Sequence, residues 1–151
     1  HQGLEKAHWL NEQGVLLIEQ PMPKEDVDGN AWLTERSPIP TVGDEAVQRL
    51  ADVAKAKGVY HGINIKLMKS AGMFEAAKMI KAAKQNDLKV LIGCMSETSV
   101  ATLAGAALAP LCDWVDLDGP FLTANNPYQT PKFVNGKYVL IDDAGLGVLK
   151  K

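Results

Sequence analysis

The feature that most constrains the fold is a regular series of short apolar segments, each ending at a charged residue or a glycine. These ends fall at Glu19, Asp44, Lys66, Gly93 and Asp118, so successive ends lie 25, 22, 27 and 25 residues apart. Stretches with helical periodicity separate the segments. Strands that alternate with helices at this spacing indicate repeated βα units in a parallel sheet.

The apolar runs predict five strands, and the intervening patterns predict five helices. The predicted strands are 15–18, 39–42, 62–66, 90–93 and 114–118, and the predicted helices are 2–12, 24–35, 45–57, 73–85 and 98–108. Gly29 favours a short or broken second helix. The segment 133–140 predicts a hairpin that turns at Asn135-Gly136.

Such units can close into an eight-stranded barrel or form an open sheet with helices on both faces, and the spacing leaves both possibilities open. A complete (β/α) barrel takes about 250 residues, whereas this chain has 151 and about five units. If the fold is a barrel, we expect the chain to be part of one, with its other strands in preceding sequence.

Composition excludes several classes of function. The formal net charge is −2, with both signs mixed along the chain and no basic block, so we expect no nucleic-acid partner. No apolar run approaches the roughly 20 residues of a membrane helix, so we expect no membrane partner. Cys94 and Cys112 are far apart in apolar surroundings, which favours reduced thiols and a cytoplasmic protein.

Charged residues at the predicted strand ends point to a shared site, because functional groups in parallel α/β folds gather beyond the carboxyl ends of the strands. Glu19 and Asp44 end neighbouring strands, and two carboxylates suit a hard cation such as Mg²⁺. We prefer Asp44 to Glu45 as the ligand, because Asp44 ends a strand whereas Glu45 is predicted to begin a helix.

The third strand supplies a candidate base. Asn64 and Lys66 share one face of this strand by period-two alternation, while Ile63 and Ile65 take the other. A divalent cation nearby is expected to lower the pKa of Lys66 and let it act as a base near neutral pH. Lys69 is expected to lie beyond the strand, in solvent.

Asp116 and Asp118 share a face of the fifth strand, with Leu117 on the other. Two inward carboxylates could hold a second metal ion or the ammonium group of a substrate. Their spacing does not separate these two possibilities.

Several motifs occur in an order that resembles a known family. They are Glu19-Gln20-Pro21, Gly43-Asp44-Glu45, Asn64-Ile65-Lys66-Leu67-Met68-Lys69, Gly93-Cys94-Met95-Ser96-Glu97-Thr98, Asp116-Leu117-Asp118-Gly119-Pro120 and, in the tail, Gly145-Leu146-Gly147. Together they resemble the barrel domain of the enolase superfamily, in its muconate-lactonizing subgroup. The Asp-x-Asp-Gly-Pro element is most similar to that of the dipeptide epimerases.

The resemblance implies an α/β fold, a partial (β/α) TIM-type barrel, and a set of residue roles. Residues 1–124 would belong to the barrel, and residues 125–151 would form a tail that packs on an N-terminal capping domain. That domain, the first metal aspartate and a second catalytic lysine would lie before His1. The implied roles are Mg²⁺ ligands (Glu19 and Asp44), catalytic lysine (Lys66), ammonium-binding residues (Asp116 and Asp118), pocket lining (Cys94, Met95 and Ser96) and supporting residues (Asn64, Glu45 and Glu97).

The implied function is that of an isomerase, a dipeptide epimerase that moves a proton on the α-carbon of a dipeptide such as L-Ala-D/L-Glu with the help of Mg²⁺. Muconate cycloisomerase and o-succinylbenzoate synthase or N-acylamino acid racemase are the alternatives within the superfamily. A hypothesis of a different class is that the chain is an inactive barrel fragment, and we expect the isolated 151 residues to have no activity. We also expect a homo-oligomer.

Overall fold

The computed structural model describes residues 1–151 and contains five α-helices and seven strands. The helices are α1 (Gln2–Glu12), α2 (Val27–Arg36), α3 (Leu50–Val53), α4 (Met73–Gln85) and α5 (Ser99–Leu108). The strands are β1 (Ile18–Glu19), β2 (Thr41–Gly43), β3 (Gly62–Lys66), β4 (Lys89–Gly93), β5 (Trp114–Val115), β6 (Lys132–Val134) and β7 (Lys137–Val139).

The first five strands form one parallel sheet in the order in which they occur along the chain. An open doubly wound sheet reverses its strand order at a switch point, whereas a barrel adds each strand beside the previous one. The sequential order therefore decides the question that the spacing left open. The fold is a partial (β/α) barrel, as the sequence predicted.

The hydrophobic core lies on one face of this sheet. Ile63 and Ile65 of β3 and Ile92 of β4 are fully buried in a cluster that includes Met79 and Ile80 of α4. Successive residues of a strand point to opposite faces, so the polar residues between the isoleucines of β3 face away from the helices. The same alternation that builds the core therefore brings polar side chains together on the inner face.

The outer strands of the sheet are shorter than predicted. The Val15 backbone N–H donates to the Leu10 carbonyl oxygen and closes the turn that follows α1, which leaves only Ile18–Glu19 as β1. β5 ends at Val115, and residues 116–118 connect it to a 3₁₀ segment, Gly119–Leu122.

Two predicted helices also differ from the observed ones. α2 is continuous through Gly29, because the Asp26 side chain accepts a hydrogen bond from the Gly29 N–H and caps the helix. The helix predicted to begin at residue 45 begins only at Leu50. There the Glu75 carboxylate accepts a hydrogen bond from the Leu50 N–H and pairs with Arg49.

The tail forms the predicted hairpin. β6 and β7 pair antiparallel, and Asn135 and Gly136 between them have φ angles of 50° and 76°, the left-handed conformation that an Asn-Gly turn provides. None of the helices in the chain is both long and apolar enough to cross a membrane.

Candidate active site

The ends of the first three strands hold a compact polar group, which we call the β1–β3 cluster. Its members are Glu19, Gln20, Asp44, Asn64, Lys66 and Lys69. Three adjacent parallel strands end at the same edge of the sheet, so residues far apart in sequence meet there. The structure thus brings together the predicted metal ligands and the predicted base.

Lys66 lies between the two candidate metal ligands. Its ammonium group donates a hydrogen bond of 2.8 Å to an Asp44 carboxylate oxygen and lies 3.6 Å from a Glu19 carboxylate oxygen. The Asp44 side chain is only 8% exposed, the Lys66 side chain 15% and the Glu19 side chain 31%. The candidate base and both candidate ligands therefore share one partly shielded space.

Lys69 also belongs to this cluster, so the prediction that it lies in solvent was wrong. Its ammonium group pairs with the Asp44 carboxylate, and it donates to the backbone oxygens of Asp44 at 2.8 Å and of Asn64 at 3.2 Å. A turn after β3, closed by the N–H groups of Lys69 and Ser70 on the Lys66 carbonyl oxygen, returns the side chain to the strand ends. Its side chain is 9% exposed.

Asn64 orients Glu19 from the inner face of β3. Its amide donates to a Glu19 carboxylate oxygen at 2.7 Å, while its own oxygen is buried without a partner. Gly93 on the adjacent strand leaves room for this amide, because a Cβ there would lie 2.5 Å from the Asn64 oxygen. The glycine that ends β4 therefore serves the β1–β3 cluster.

The charges of the cluster shift its pKa values. Burial by itself would raise the pKa of Asp44, but hydrogen bonds from Lys66 and Lys69 lower that pKa below its ordinary value. Burial disfavours the charged form of Lys66, yet Asp44 and Glu19 raise its pKa. The predicted lowering of the Lys66 pKa depends on a divalent cation beside the amine, so it stays a prediction.

Glu45 has a different place from the one predicted. It does not begin a helix, since α3 starts five residues later, and its side chain is exposed. It lines a cleft at the mouth of the β1–β3 cluster together with Glu19, Pro21 and Asp44.

The carboxylates of Glu19 and Asp44 are of the chemical type that Mg²⁺ prefers, but they are only two protein ligands. Glu19 and Asp44 offer oxygen donors from adjacent strands and open onto the cleft, as a hard cation requires. No group of three or more acidic, histidine or cysteine side chains in the chain is placed to hold a metal ion.

The ends of the last two strands carry a second group, the β4–β5 cluster, formed by Cys94, Met95, Ser96, Glu97, Asp116 and Asp118. Asp116 and Asp118 are exposed and line a cleft with Phe121 and Tyr138. Both follow β5 and are not within it. No hydrogen bond or ion pair joins this cluster to the β1–β3 cluster.

Two members of the β4–β5 cluster are half-buried. The Cys94 sulfur accepts the Gly119 N–H at 3.2 Å and lies 3.8 Å from an Asp118 carboxylate oxygen, and burial raises its pKa to about 11. Burial also raises the pKa of Glu97, one of whose oxygens has no partner. Met95 and Ser96 lie exposed between them.

Comparison with known proteins identifies the family. The family model described as "Enolase C-terminal domain-like" matches residues 1–149. The chain belongs to the enolase superfamily.

Relatives within the superfamily include epimerases and racemases. The chain is 50% identical to an L-Ala-D/L-Glu epimerase of Bacteroides thetaiotaomicron over 97% of this chain and 38% of that protein. It is 35% identical to an N-acetyl-D-glutamate racemase of a Pseudoalteromonas species, over 88% of this chain and 42% of that protein. The chain thus spans about two fifths of the length of these relatives.

A solved structure confirms the fold. A mandelate racemase/muconate lactonizing protein from Herpetosiphon aurantiacus matches 99% of this chain and 44% of its own, with a TM-score of 0.86 and 34% identity. The partial barrel seen here is therefore that of an enolase-superfamily protein.

Sequence reasoning missed two polar members of this enolase-superfamily site, Gln20 and Lys69. Lys69 follows Lys66 by three residues, and a tight turn after the strand would have signalled that its side chain folds back. Gln20 stands directly after Glu19, and its side chain has four hydrogen-bond partners. A polar residue beside a strand-end carboxylate is the signal that could have found it.

Proposed function

We propose that the complete protein containing this chain is a dipeptide epimerase that uses Mg²⁺. The observation that carries the proposal is the position of Lys66, with its ammonium group 2.8 Å from Asp44 and 3.6 Å from Glu19 at the strand ends. A proton-transfer residue must lie within reach of the reacting atom, and a metal-bound substrate would lie beside these carboxylates.

Glu19 and Asp44 would hold Mg²⁺ with a third ligand from outside this chain. The bound ion would stabilise the negative charge that develops on the substrate carboxylate when the α-proton leaves. Asn64 would keep the Glu19 carboxylate oriented through its 2.7 Å hydrogen bond.

Lys66 would act as the base or acid on one face of the substrate. It would take the α-proton as a neutral amine or return one as an ammonium ion, and a second lysine from outside this chain would serve the opposite face. Proton removal on one face and return on the other inverts the α-carbon. Asp44 and Lys69 would hold Lys66 in place through their shared contacts.

Asp116 and Asp118 would recognise the free ammonium group of the dipeptide. Both carboxylates are exposed in a cleft at the same end of the sheet as Lys66, and neither has a cationic partner in the chain. Cys94, Met95 and Ser96 would line the adjoining wall. The names of relatives support this substrate class, since the Bacteroides relative is an L-Ala-D/L-Glu epimerase.

A racemase of N-acylated amino acids is the second candidate, favoured by the similarity to an N-acetyl-D-glutamate racemase. Such substrates lack a free amine, so they offer no ammonium group for the two aspartates to bind. The full-length protein should therefore be assayed on a dipeptide and on its N-acetylated form, with Mg²⁺ and with EDTA. Mg²⁺-dependent epimerisation of the free dipeptide alone supports the proposal. Preference for the acylated form overturns the role given to the aspartates.

The same proposal includes the tail and the setting of the protein. Phe133, Val134, Val139, Leu140 and Ile141 are exposed apolar residues of the hairpin and the segment after it. We infer that residues 125–151 pack on a capping domain of the complete protein. We also propose a cytoplasmic location, which the two free cysteines support. Exposed apolar residues elsewhere, such as Phe74 and Met68, would suit subunit contacts in a homo-oligomer.

A further inference from the structure

The Gln20 side chain joins the ends of β1 and β2. Its oxygen accepts hydrogen bonds from the backbone N–H groups of Asp44 at 3.0 Å and Ala46 at 3.2 Å. Its NH₂ group donates to the Met22 carbonyl oxygen at 2.9 Å and to the Tyr60 hydroxyl at 2.8 Å. Gln20 therefore uses both of its amide donors and both acceptor sites to hold together three separate segments.

The backbone at Gln20 is held in an unusual conformation. Its φ is 38°, in the left-handed region that is unfavourable for a residue other than glycine. The Gln20 N–H still donates to Val42 of β2 at 2.8 Å. The sheet and the side-chain contacts together hold this conformation immediately after Glu19, so they fix the point at which the Glu19 strand ends.

Tyr60 anchors the other side of this arrangement. It is 4% exposed and belongs to the hydrophobic core. Its ring packs on Gly43, where a Cβ would lie 2.8 Å from the ring. Gly43 directly precedes Asp44, so the close approach of the ring and the Gln20 hydrogen bond act on the same backbone segment.

We propose that Gln20 is a positioning residue for metal binding, acting through the backbone of Glu19 and Asp44. Its side chain accepts a hydrogen bond from the Asp44 N–H, and its backbone directly follows Glu19. Gln20 therefore fixes the relative position of the two carboxylates that Lys66 contacts. This inference rests on the proposed function, which makes those carboxylates Mg²⁺ ligands. It assigns to Gln20 and its anchor Tyr60 the task of holding the ligands ready.

Metal affinity tests this role directly. Mn²⁺ binding to the full-length protein, followed by the loss of the free-ion EPR signal, should be compared between wild type, Gln20→Met and Tyr60→Phe. Methionine keeps the length of the side chain without its hydrogen bonds, so Mn²⁺ should bind about 10–100-fold more weakly. Tyr60→Phe removes one contact and should weaken binding about two- to tenfold.

The matched control is Gln85→Met, the same change at an exposed position near the end of α4, which should leave Mn²⁺ affinity unchanged. A merely structural role for Gln20 would lower the melting temperature while the folded variant bound Mn²⁺ as tightly as wild type, and that result overturns the inference. If Gln20→Met does not fold, Tyr60→Phe decides, and unchanged affinity there overturns it. Wild-type protein that binds no Mn²⁺ overturns the proposed function as well.

Discussion

The two clusters at the carboxyl end of the sheet differ in how much of their order comes from this chain. In the β1–β3 cluster each carboxylate contacts a lysine, and Lys69 and Asp44 are largely buried. In the β4–β5 cluster the two aspartates are exposed, and the hydrogen bond between side chains is the 3.8 Å contact of Cys94 with Asp118. The side chains of the first cluster are held in place by contacts within the chain, as catalytic groups must be. The carboxylates of the second cluster have no cationic partner and remain available to bind a ligand.

The largest effect should follow Lys66→Ala in the full-length protein. Removing a positioned acid or base lowers the rate about 10²–10⁴-fold, so epimerisation of a dipeptide should fall by that factor. Chiral chromatography of the product measures it. Lys84→Ala, an exposed residue of α4, is the control. Wild-type turnover by Lys66→Ala would remove the main functional difference between the clusters.

Substitution of both Asp116 and Asp118 by Asn should affect recognition. The loss of charged hydrogen bonds to an ammonium group should reduce kcat/KM for the free dipeptide about tenfold to hundredfold, mostly through KM. Steady-state kinetics should show a much smaller change for the N-acetylated dipeptide. Asp142→Asn in the exposed tail is the matched control. An equal loss on both substrates would contradict a recognition role.

Stability should distinguish the clusters in a third way. Lys69→Met removes the donor to one Asp44 carboxylate oxygen and to the backbone oxygens of Asp44 and Asn64, so the free energy of unfolding should fall by about 1–2 kcal/mol. Urea denaturation of the full-length protein measures this change. Asp118→Asn and the exposed Lys81→Met should each stay within about 0.5 kcal/mol of wild type. If Lys69→Met were equally neutral, the first cluster would be no better organised than the second.

The smallest effect concerns the pH dependence at Glu97. Burial raises the pKa of Glu97 in the folded state above the ordinary glutamate value of 4.5. The folded state therefore loses stability as the pH rises from 4.5 through the folded-state pKa, because the carboxyl group must ionise while half-buried. Glu97→Gln should therefore stabilise the protein at pH 7, by at most about 1 kcal/mol for a half-buried group. The gain should vanish below about pH 4, as thermal unfolding across this pH range would show. A gain that persists in acid would have a cause other than ionisation.

The sequence predicted the sheet better than the contacts between its strand ends. β3, β4, α4 and α5 were predicted to within one residue, because each has a clear apolar period and a marked end. β1 and β5 were predicted too long, since apolar residues there serve a helix end or a turn. Whether the sheet was an open sheet or a barrel needed the strand order, which periodicity does not encode.

Within the site, charge at the strand ends predicted that Glu19, Asp44 and Lys66 would meet, and they do. The same reasoning missed Lys69, because a loop residue was assumed to face solvent. It also did not predict that both carboxylates would pair with the Lys66 ammonium group and raise its pKa, because such pairing depends on distances of a few ångströms. Strand alternation predicts which face a side chain occupies, but not which neighbour it bonds.

Hydrogen exchange in D₂O tests the central claim most directly, namely that Lys66 serves one face of a two-faced proton-transfer site. Full-length wild type and Lys66→Ala should be given each epimer of a dipeptide with Mg²⁺, and deuterium at the α-carbon followed by mass spectrometry. We expect wild type to exchange both epimers, and Lys66→Ala to exchange only the epimer whose proton faces the second lysine. Exchange of both epimers by Lys66→Ala at wild-type rates, or none by wild type, would contradict the account.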